Sequence, residues 1–208
     1  MKIHEQEHEE KKAFFNERAA HWDDTSRSNL DKVKIMLQLL NIKNGDKVLD
    51  VGTGTGVLLP LLSALTPESD ITAIDIAENM IQTAKQKAGC SKITFVVGDA
   101  LNHPFEPKSF DHIICYSVFP HFEDKPGTIR HLSSLLKPGG LLAILHSASR
   151  NKINNVHIHI HHDDIKADNL PPAEMVMNCM VECGLREEIR IDTPEMYMLT
   201  ARKRWHPA

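Results

Sequence analysis

The sequence feature that most constrains the fold is a glycine-rich turn between an apolar strand and an apolar helix. The run from Val48 to Val51 predicts a buried parallel strand, and the segment from Val57 to Leu65 predicts a helix. Between them, glycine stands at positions 52, 54 and 56. Glycines let the backbone turn tightly and approach a ligand closely, and the N-terminus of the next helix presents free N–H groups. This pattern predicts a ligand-binding loop, with a plain tight turn as the alternative.

The spacing of the glycines differs from that of a dinucleotide-binding loop. Dinucleotide folds carry G-x-G-x-x-G, whereas residues 48–56 read VLDVGTGTG. This stretch resembles motif I of the class I S-adenosylmethionine (SAM) dependent methyltransferases. Because SAM has no pyrophosphate, the resemblance implies that the loop accepts a methionine moiety and a ribose. The cofactor-binding residues implied in this motif are Asp50, Gly52, Thr53, Gly54 and Gly56.

Two more acidic residues follow predicted strands further along the chain. Asp75 ends the strand predicted at 71–75, and Asp99 comes shortly after the strand predicted at 93–97. Ligands of open parallel sheets bind at the C-terminal ends of the strands, where an acid can accept hydrogen bonds from ribose hydroxyls. Asp75 considered alone could instead be an acid at a helix N-terminus. Its spacing from the glycine-rich turn favours the ribose-binding role.

The residues around these two acids extend the resemblance. Residues 75–81 read DIAENMI, which is similar to the family's D-x-S-x-x-M-[IL] segment. In that segment the residue after the acid and the methionine flank the adenine. Residues 98–100 look like the family's G-D-[AL] element, whose acid accepts a hydrogen bond from the adenine amino group. The resemblance therefore implies adenine contacts from Ile76, Met80, Asp99 and Ala100.

The order of the elements predicts the fold class. Strands alternate with helices over about a hundred residues, which is typical of an α/β protein with a doubly wound sheet. We expect a three-layer Rossmann-like fold whose sheet is mostly parallel with an antiparallel last strand. The other predicted elements are strands at 110–115, 141–145, 186–191 and 196–201, and helices at 30–40, 77–87, 125–136 and 173–183. A length of 208 residues predicts one domain over 1–208.

Two segments are expected to flank the cofactor within that domain. Residues 1–42 are predicted as a helical N-terminal leader or lid, and residues 146–184 as a substrate-side insertion and helix. The stretch 14–23, FFNERAAHWD, resembles the leader of ubiquinone/menaquinone-type methyltransferases, which often covers the cofactor. The equal alternative is a helix that packs its aromatic side chains on the core.

Catalysis by such an enzyme requires groups that unmask a nucleophile in front of the methyl group. In this fold the chain leaves strands four and five near that point. The candidate catalytic residues are Tyr116 and His121 after strand four, and His146 and Arg150 after strand five. A histidine can take a proton near neutral pH, and an arginine suits a carboxylate or phosphate. Tyr116 could also orient or cover the cofactor, and for each histidine a structural role is the equal alternative.

The chain is rich in histidine, with 13 of 208 residues, and several of these lie between positions 157 and 162. On a helix, His157 and His161 would lie together at i and i+4. With Asp163 or Asp164 nearby, they could hold a divalent metal that polarises a substrate hydroxyl or thiol. Solvent-exposed histidines are the alternative explanation.

Composition narrows the class of function. A net charge of −4 gives no general attraction to nucleic acid. The spacing of the cysteines suggests no disulfide framework. No apolar run is typical of a signal peptide or of a membrane span. We therefore expect a cytoplasmic SAM-dependent methyltransferase acting on an O, S, N or C nucleophile of a small molecule, with no membrane partner. The alternatives are an RNA or protein methyltransferase, and a SAM-binding regulatory or partner protein without catalysis.

Overall fold

The structure, a computed structural model that describes residues 2–25, 29–87, 92–159 and 168–205, is built on a seven-stranded sheet. In chain order the strands are β1 (Lys47–Val51), β2 (Asp70–Asp75), β3 (Ile93–Val97), β4 (Phe110–Tyr116), β5 (Leu136–His146), β6 (Leu185–Asp192) and β7 (Tyr197–Lys203). Across the sheet their order is β3-β2-β1-β4-β5-β7-β6. Strand β7 runs antiparallel to β5 and β6, and the other neighbouring strands are parallel. The predicted doubly wound, mostly parallel sheet with an antiparallel last strand is confirmed.

Helices cover both faces of this sheet. They are α1 (Lys2–Arg18), α2 (Trp22–Thr25), α3 (Leu30–Leu39), α4 (Leu59–Leu65), α5 (Glu78–Lys87), α6 (Lys125–Leu135), α7 (Arg150–His159) and α8 (Ala173–Glu182), with short 3-10 turns at Ala19–His21 and Phe119–His121. Local capping explains two of the starts. The Asn29 side chain accepts the Lys32 N–H at the start of α3, and the Asp124 side chain accepts the Gly127 N–H at the start of α6.

The hydrophobic core lies in two layers, one on each face of the sheet. Leu49 of β1 packs with the layer under α6 and α8, whereas its neighbour Val48 packs with the layer under α3 and α4. Adjacent strand residues point to opposite faces, so β1, buried on both sides, reads as a continuous apolar run. This explains why Val48 to Val51 could be recognised as a central strand.

The structure moves two predicted boundaries. Helix α4 begins at Leu59 rather than at Val57, and Pro60 occupies its first turn, where a missing N–H costs nothing. Strand β5 begins at Leu136 rather than at Leu141, because Leu136 already pairs with Phe110 before a shift in register. Residues 137–140, which lie between the predicted helix at 125–136 and the predicted strand at 141–145, therefore belong to an irregular part of β5.

Within the part of the chain that the structure describes, no helix combines the length and the apolarity that a membrane crossing requires.

Candidate active site

A cavity of roughly 940 Å³ opens at the C-terminal edge of the parallel strands. The glycine-rich turn and the residues after β2, β3 and β4 form its floor and walls, and parts of α1 and α2 close it from above. Every predicted cofactor-binding residue lines this cavity except Gly56. Gly56 lies behind the turn, where an added Cβ would come within 3.0 Å of Ala84 and Leu59 side chains, so it serves the packing of α4 against α5.

The glycine-rich turn is held tightly against its surroundings. The backbone of Gly52 has φ +65°, a conformation that favours glycine. A Cβ at this position would lie 2.3 Å from Cγ2 of Val118, a residue of the loop after β4. The Thr53 N–H donates to the Ile74 carbonyl at 3.0 Å, which ties the turn to the end of β2. The turn therefore forms a rigid wall of the cavity.

Asp75 lines the cavity at the end of β2, where two backbone groups fix its carboxylate. The Gly54 N–H donates to Oδ2 and the Ala77 N–H donates to Oδ1, each at 2.9 Å. Burial raises the pKa of Asp75 above its ordinary value, although these two hydrogen bonds oppose the shift. Each carboxylate oxygen keeps further acceptor capacity, so Asp75 can accept hydrogen bonds from a ligand that carries neighbouring hydroxyls.

Asp50 is almost fully buried at the base of the cavity, with 1% of its surface exposed. Its Oδ2 accepts a hydrogen bond from the Thr53 hydroxyl at 2.7 Å. Burial raises the pKa of Asp50 to about 7; the Thr53 hydrogen bond opposes this shift, and the nearby Asp75 carboxyl adds to it. Asp50 therefore changes its charge near neutral pH.

The third acid, Asp99, lines the cavity after β3 and is held by its own loop. Its Oδ1 accepts the Leu101 N–H at 2.9 Å, and its other oxygen accepts from the Asn102 side chain. Ile76 and Met80 line the same cavity. The structure thus brings together the acids and the apolar residues that the sequence assigned to one ligand.

The N-terminal segment covers this cavity. Phe15 and Trp22 line it and pack edge-to-face at a centroid distance of 5.6 Å. Asp23 accepts a hydrogen bond from the Thr55 hydroxyl at 2.6 Å and pairs with Lys87 of α5. These contacts join α2 to the glycine-rich turn and to α5, so the leader lies over the cavity in this structure.

His121 lines the cavity and belongs to a network of three charged or titratable side chains. Its Nδ1 is 2.6 Å from Oδ2 of Asp168, and the Lys11 ammonium donates to the other Asp168 oxygen at 3.0 Å and to the His121 carbonyl at 2.9 Å. The Phe15 and His121 rings pack edge-to-face, with 5.2 Å between their centroids. Lys11 and Asp168 are residues that the sequence reasoning missed, because they lie 110 and 47 positions from His121 and belong to no local pattern.

The other predicted catalytic residues have different surroundings. Tyr116 lines the cavity, and its hydroxyl is 2.9 Å from that of Ser147. His146 is buried in the sheet against the edge of the Tyr197 ring, because it pairs with Tyr197 at the end of β5. Arg150 donates from Nε to Asp192 at 2.9 Å. Neither His146 nor Arg150 lines the cavity. Of the four predicted catalytic residues, only Tyr116 and His121 therefore lie at the cavity.

A metal is not supported by the described residues, which contain no group of three or more His, Cys, Asp or Glu side chains suited to hold one. His157 lies in α7, but its side chain and the whole of His161 fall outside the described part of the chain.

The sheet order and the glycine-rich turn define a Rossmann-like α/β fold with a ligand-sized cavity at its C-terminal strand edge. Residues 42–201 match the family model of the methyltransferase domain, and the chain belongs to this family.

Individual relatives agree with this assignment. The demethylmenaquinone methyltransferase of Staphylococcus aureus (strain JH9) is 32% identical over 117 residues, which cover 55% of this chain and 48% of that protein. The chain thus spans about half the length of the curated relatives that it matches.

Solved structures share the fold. A SAM-dependent methyltransferase from Aquifex aeolicus has a TM-score of 0.71 at 23% identity, covering 90% of this chain and 97% of that one. A chain from the complex between the Haloferax volcanii Trm112 methyltransferase activator and a methyltransferase has a TM-score of 0.76 at 20% identity, covering 91% of this chain and 97% of that one.

Proposed function

We propose that this chain is an enzyme that transfers a methyl group from SAM to a nucleophilic atom of a small molecule. One observation carries the proposal: one cavity is lined by the glycine-rich turn and by the three acids at the C-terminal ends of β1, β2 and β3 that the sequence assigned to SAM. The methyltransferase family match supports the same conclusion.

The residues around the cavity fit the parts of SAM. Asp75, with both oxygens fixed by backbone N–H groups, accepts the ribose hydroxyls. Ile76 and Met80 flank the adenine, and Asp99 accepts from its amino group. Gly54, where a Cβ would meet nothing within 4 Å, leaves room for the methionine moiety.

The protein's chemical task is to receive a proton and to orient the reactants. When bound, SAM supplies a methyl group on a sulfonium, and the electron pair of the broken C–S bond stays with sulfur. His121 receives the proton that the nucleophile loses as its bond to the methyl carbon forms. Tyr116, which also lines the cavity, orients or covers the reacting groups.

The cavity wall near His121 supports an aromatic or lipid-like acceptor. Phe15, Trp22 and Phe122 present rings there, and Val118 adds an aliphatic surface. The relative named a demethylmenaquinone methyltransferase supports a small-molecule acceptor of this kind. Three acids of the lining, Glu9, Glu123 and Asp124, disfavour the anionic backbone of RNA.

The cofactor assignment is tested by calorimetry of SAM binding to Asp75→Ala. We expect a loss of roughly 1.5–3 kcal/mol, the scale for hydrogen bonds to a charged group. Asp70→Ala is the matched control, because Asp70 is an exposed residue at the opposite end of the same strand and should leave the affinity unchanged. Equal affinities of both variants, with wild-type thermal stability, would contradict the assignment.

The catalytic assignment is tested by turnover of His121→Ala, after candidate phenols, thiols and carboxylates have been screened for release of S-adenosylhomocysteine. Loss of a general base should lower kcat by roughly 10²–10⁴-fold and leave SAM affinity nearly unchanged. His131→Ala, a change on α6 away from the cavity, is the control. A protein that binds SAM but shows no turnover with any acceptor would favour the regulatory or partner role.

A further inference from the structure

Lys11, Asp168 and His121 form a hydrogen-bonded network that includes two buried charges, which the cofactor-binding residues do not explain. Asp168 and Lys11 are 8% and 7% exposed, and three hydrogen bonds link the three residues. Burying two charged groups in this way is costly unless each is paired. Lys11 lines the cavity, whereas Asp168 does not, and neither residue belongs to the motifs assigned to the cofactor.

We propose that Asp168 and Lys11 are positioning residues for His121: Asp168 accepts the Nδ1–H and so makes Nε2 the proton acceptor, while Lys11 offsets the carboxylate charge and anchors the turn that carries the imidazole. This inference rests on the proposed function, in which His121 is the base. It assigns roles to two residues that act through His121.

The geometry of Asp168 supports the first half of the proposal. A neutral imidazole carries one proton, and the hydrogen bond made by one nitrogen decides which nitrogen keeps it. Burial alone would raise the pKa of Asp168, but the hydrogen bond with His121, the charge of a protonated His121 ring and the charge of Lys11 outweigh burial and hold that pKa below its ordinary value. Asp168 is therefore an ionised acceptor, and the 2.6 Å contact places the imidazole proton on Nδ1.

The geometry of Lys11 supports the second half. A buried carboxylate facing a histidine alone favours the imidazolium, which cannot accept a proton. The Lys11 ammonium, 3.0 Å from the second Asp168 oxygen, offsets that negative charge. It also binds the His121 carbonyl at 2.9 Å and so fixes the backbone of the short 3-10 turn that carries the imidazole.

Lys11 belongs to α1, whereas His121 follows β4 and Asp168 precedes α8. The network is therefore complete only when α1 lies over the cavity. In the reaction, the nucleophile's proton moves to Nε2 of His121 as the new bond to carbon forms, and Asp168 then faces an imidazolium. The same contact that fixes the neutral tautomer stabilises this product state.

Other charged groups face the network and must be considered in any titration. Glu123 has an oxygen 3.9 Å from the Lys11 ammonium, and Lys125 lies close enough to interact with Asp168. Asp75 interacts with His121 across the cavity. Other titratable groups that line the cavity include His8, Glu9 and Asp124.

The test is NMR of the His121 ring in the full chain, with ¹⁵N-labelled histidine and His121→Gln for assignment. In wild-type protein at high pH, we expect the ring proton on Nδ1 and an unprotonated Nε2. Asp168→Asn removes the carboxylate that accepts the Nδ1–H, so a substantial share of the rings should carry their proton on Nε2 instead. Lys11→Met removes the anchor of the 3-10 turn and should shift the His121 ring signals.

Two variants serve as matched controls. Asp111→Asn breaks another partly buried ion pair, with Lys137, and Lys12→Met removes the neighbouring charge on α1. Both should leave the His121 ring signals in place. If Asp168→Asn does not fold, the tautomer of the wild-type protein and the ring signals of Lys11→Met decide the question. A wild-type ring proton on Nε2, or an unchanged Nδ1 tautomer in Asp168→Asn, would overturn the proposal.

Kinetics provide a second measurement once an acceptor is known. Asp168→Asn should lower kcat by at least about tenfold with an unchanged SAM Kd, as expected when a histidine loses its orienting carboxylate. The NMR result needs neither SAM nor an acceptor. Failure of wild-type protein to bind SAM would therefore refute the proposed function, whereas an Nε2-protonated ring refutes the network alone.

Discussion

At the scale of single residues, we expect the buried carboxyl of Asp50 to make the binding of SAM depend on pH. Its pKa of about 7 reflects burial first, so the carboxyl is mostly neutral below that pH and ionised above it. The sulfonium of SAM is positive, and a nearby cation stabilises the ionised carboxylate. Binding of SAM must therefore strengthen as pH rises through about 7 and level off above.

We expect the Kd of SAM to fall by roughly 3–10-fold between about pH 6 and pH 8, whereas S-adenosylhomocysteine, which has no sulfonium charge, should change less. Isothermal calorimetry with both ligands measures the difference. Asp50→Asn should abolish it while Asp70→Asn, at the exposed end of β2, should retain it. Parallel pH profiles for the two ligands in wild-type protein would exclude this role for Asp50.

At the scale of elements, glycine in the glycine-rich turn can be required for two reasons, close packing or a positive φ. Comparing Gly52 with Gly45 separates them. A Cβ at Gly52 would meet Val118 at 2.3 Å, whereas Gly45, which also has positive φ, has open space around its Cα. Gly45→Ala adds conformational strain alone, roughly 1 kcal/mol. Gly52→Ala adds overpacking of roughly 1–3 kcal/mol to that strain.

Chemical unfolding should therefore rank Gly52→Ala below Gly45→Ala in stability, and calorimetry should show weaker SAM binding for Gly52→Ala only. Val118→Ala introduced with Gly52→Ala removes the Cγ contacts and should restore part of the stability. If the two single variants are equally stable, the close approach of the β4 loop to the turn is not what requires glycine there.

Local patterns made these elements predictable from sequence. Asp75 and Asp99 follow short apolar strands, and parallel strands bring their ends to one edge, so the acids converge for reasons visible in the order of the chain. His146 could not be placed in the same way. Its position at the end of β5 was predicted correctly, but the pairing with Tyr197 of the antiparallel β7 buries its ring in the sheet.

Contacts between segments far apart in sequence determine the other residues of the site. Lys11 and Asp168 reach His121 from segments far apart in sequence, and nothing in the spacing of either residue marks it as part of a site. Gly56 shows the opposite case. It belongs to the recognised motif, yet it faces Ala84 and Leu59 rather than the cavity. A motif indicates which loop forms, but the packing of neighbouring helices decides which of its residues contact a ligand.

At the scale of the whole molecule, the N-terminal leader completes the cavity that the sheet begins. Phe15 and Trp22 line it, the contact of Asp23 with Thr55 ties the leader to the glycine-rich turn, and Lys11 reaches the His121 network. Asn16 adds two hydrogen bonds to Asn79 of α5. We expect a bound cofactor to be enclosed between the strand ends and this leader.

The most direct measurement of this account is a crystal structure of the chain with S-adenosylhomocysteine. We expect the ribose hydroxyls within hydrogen-bonding distance of the Asp75 carboxylate, the adenine between Ile76 and Met80, and the sulfur on the side of the cavity that Tyr116 and His121 line. The leader should cover the ligand. A ligand bound elsewhere on the molecule, or one whose ribose contacts a residue other than Asp75, would contradict the account.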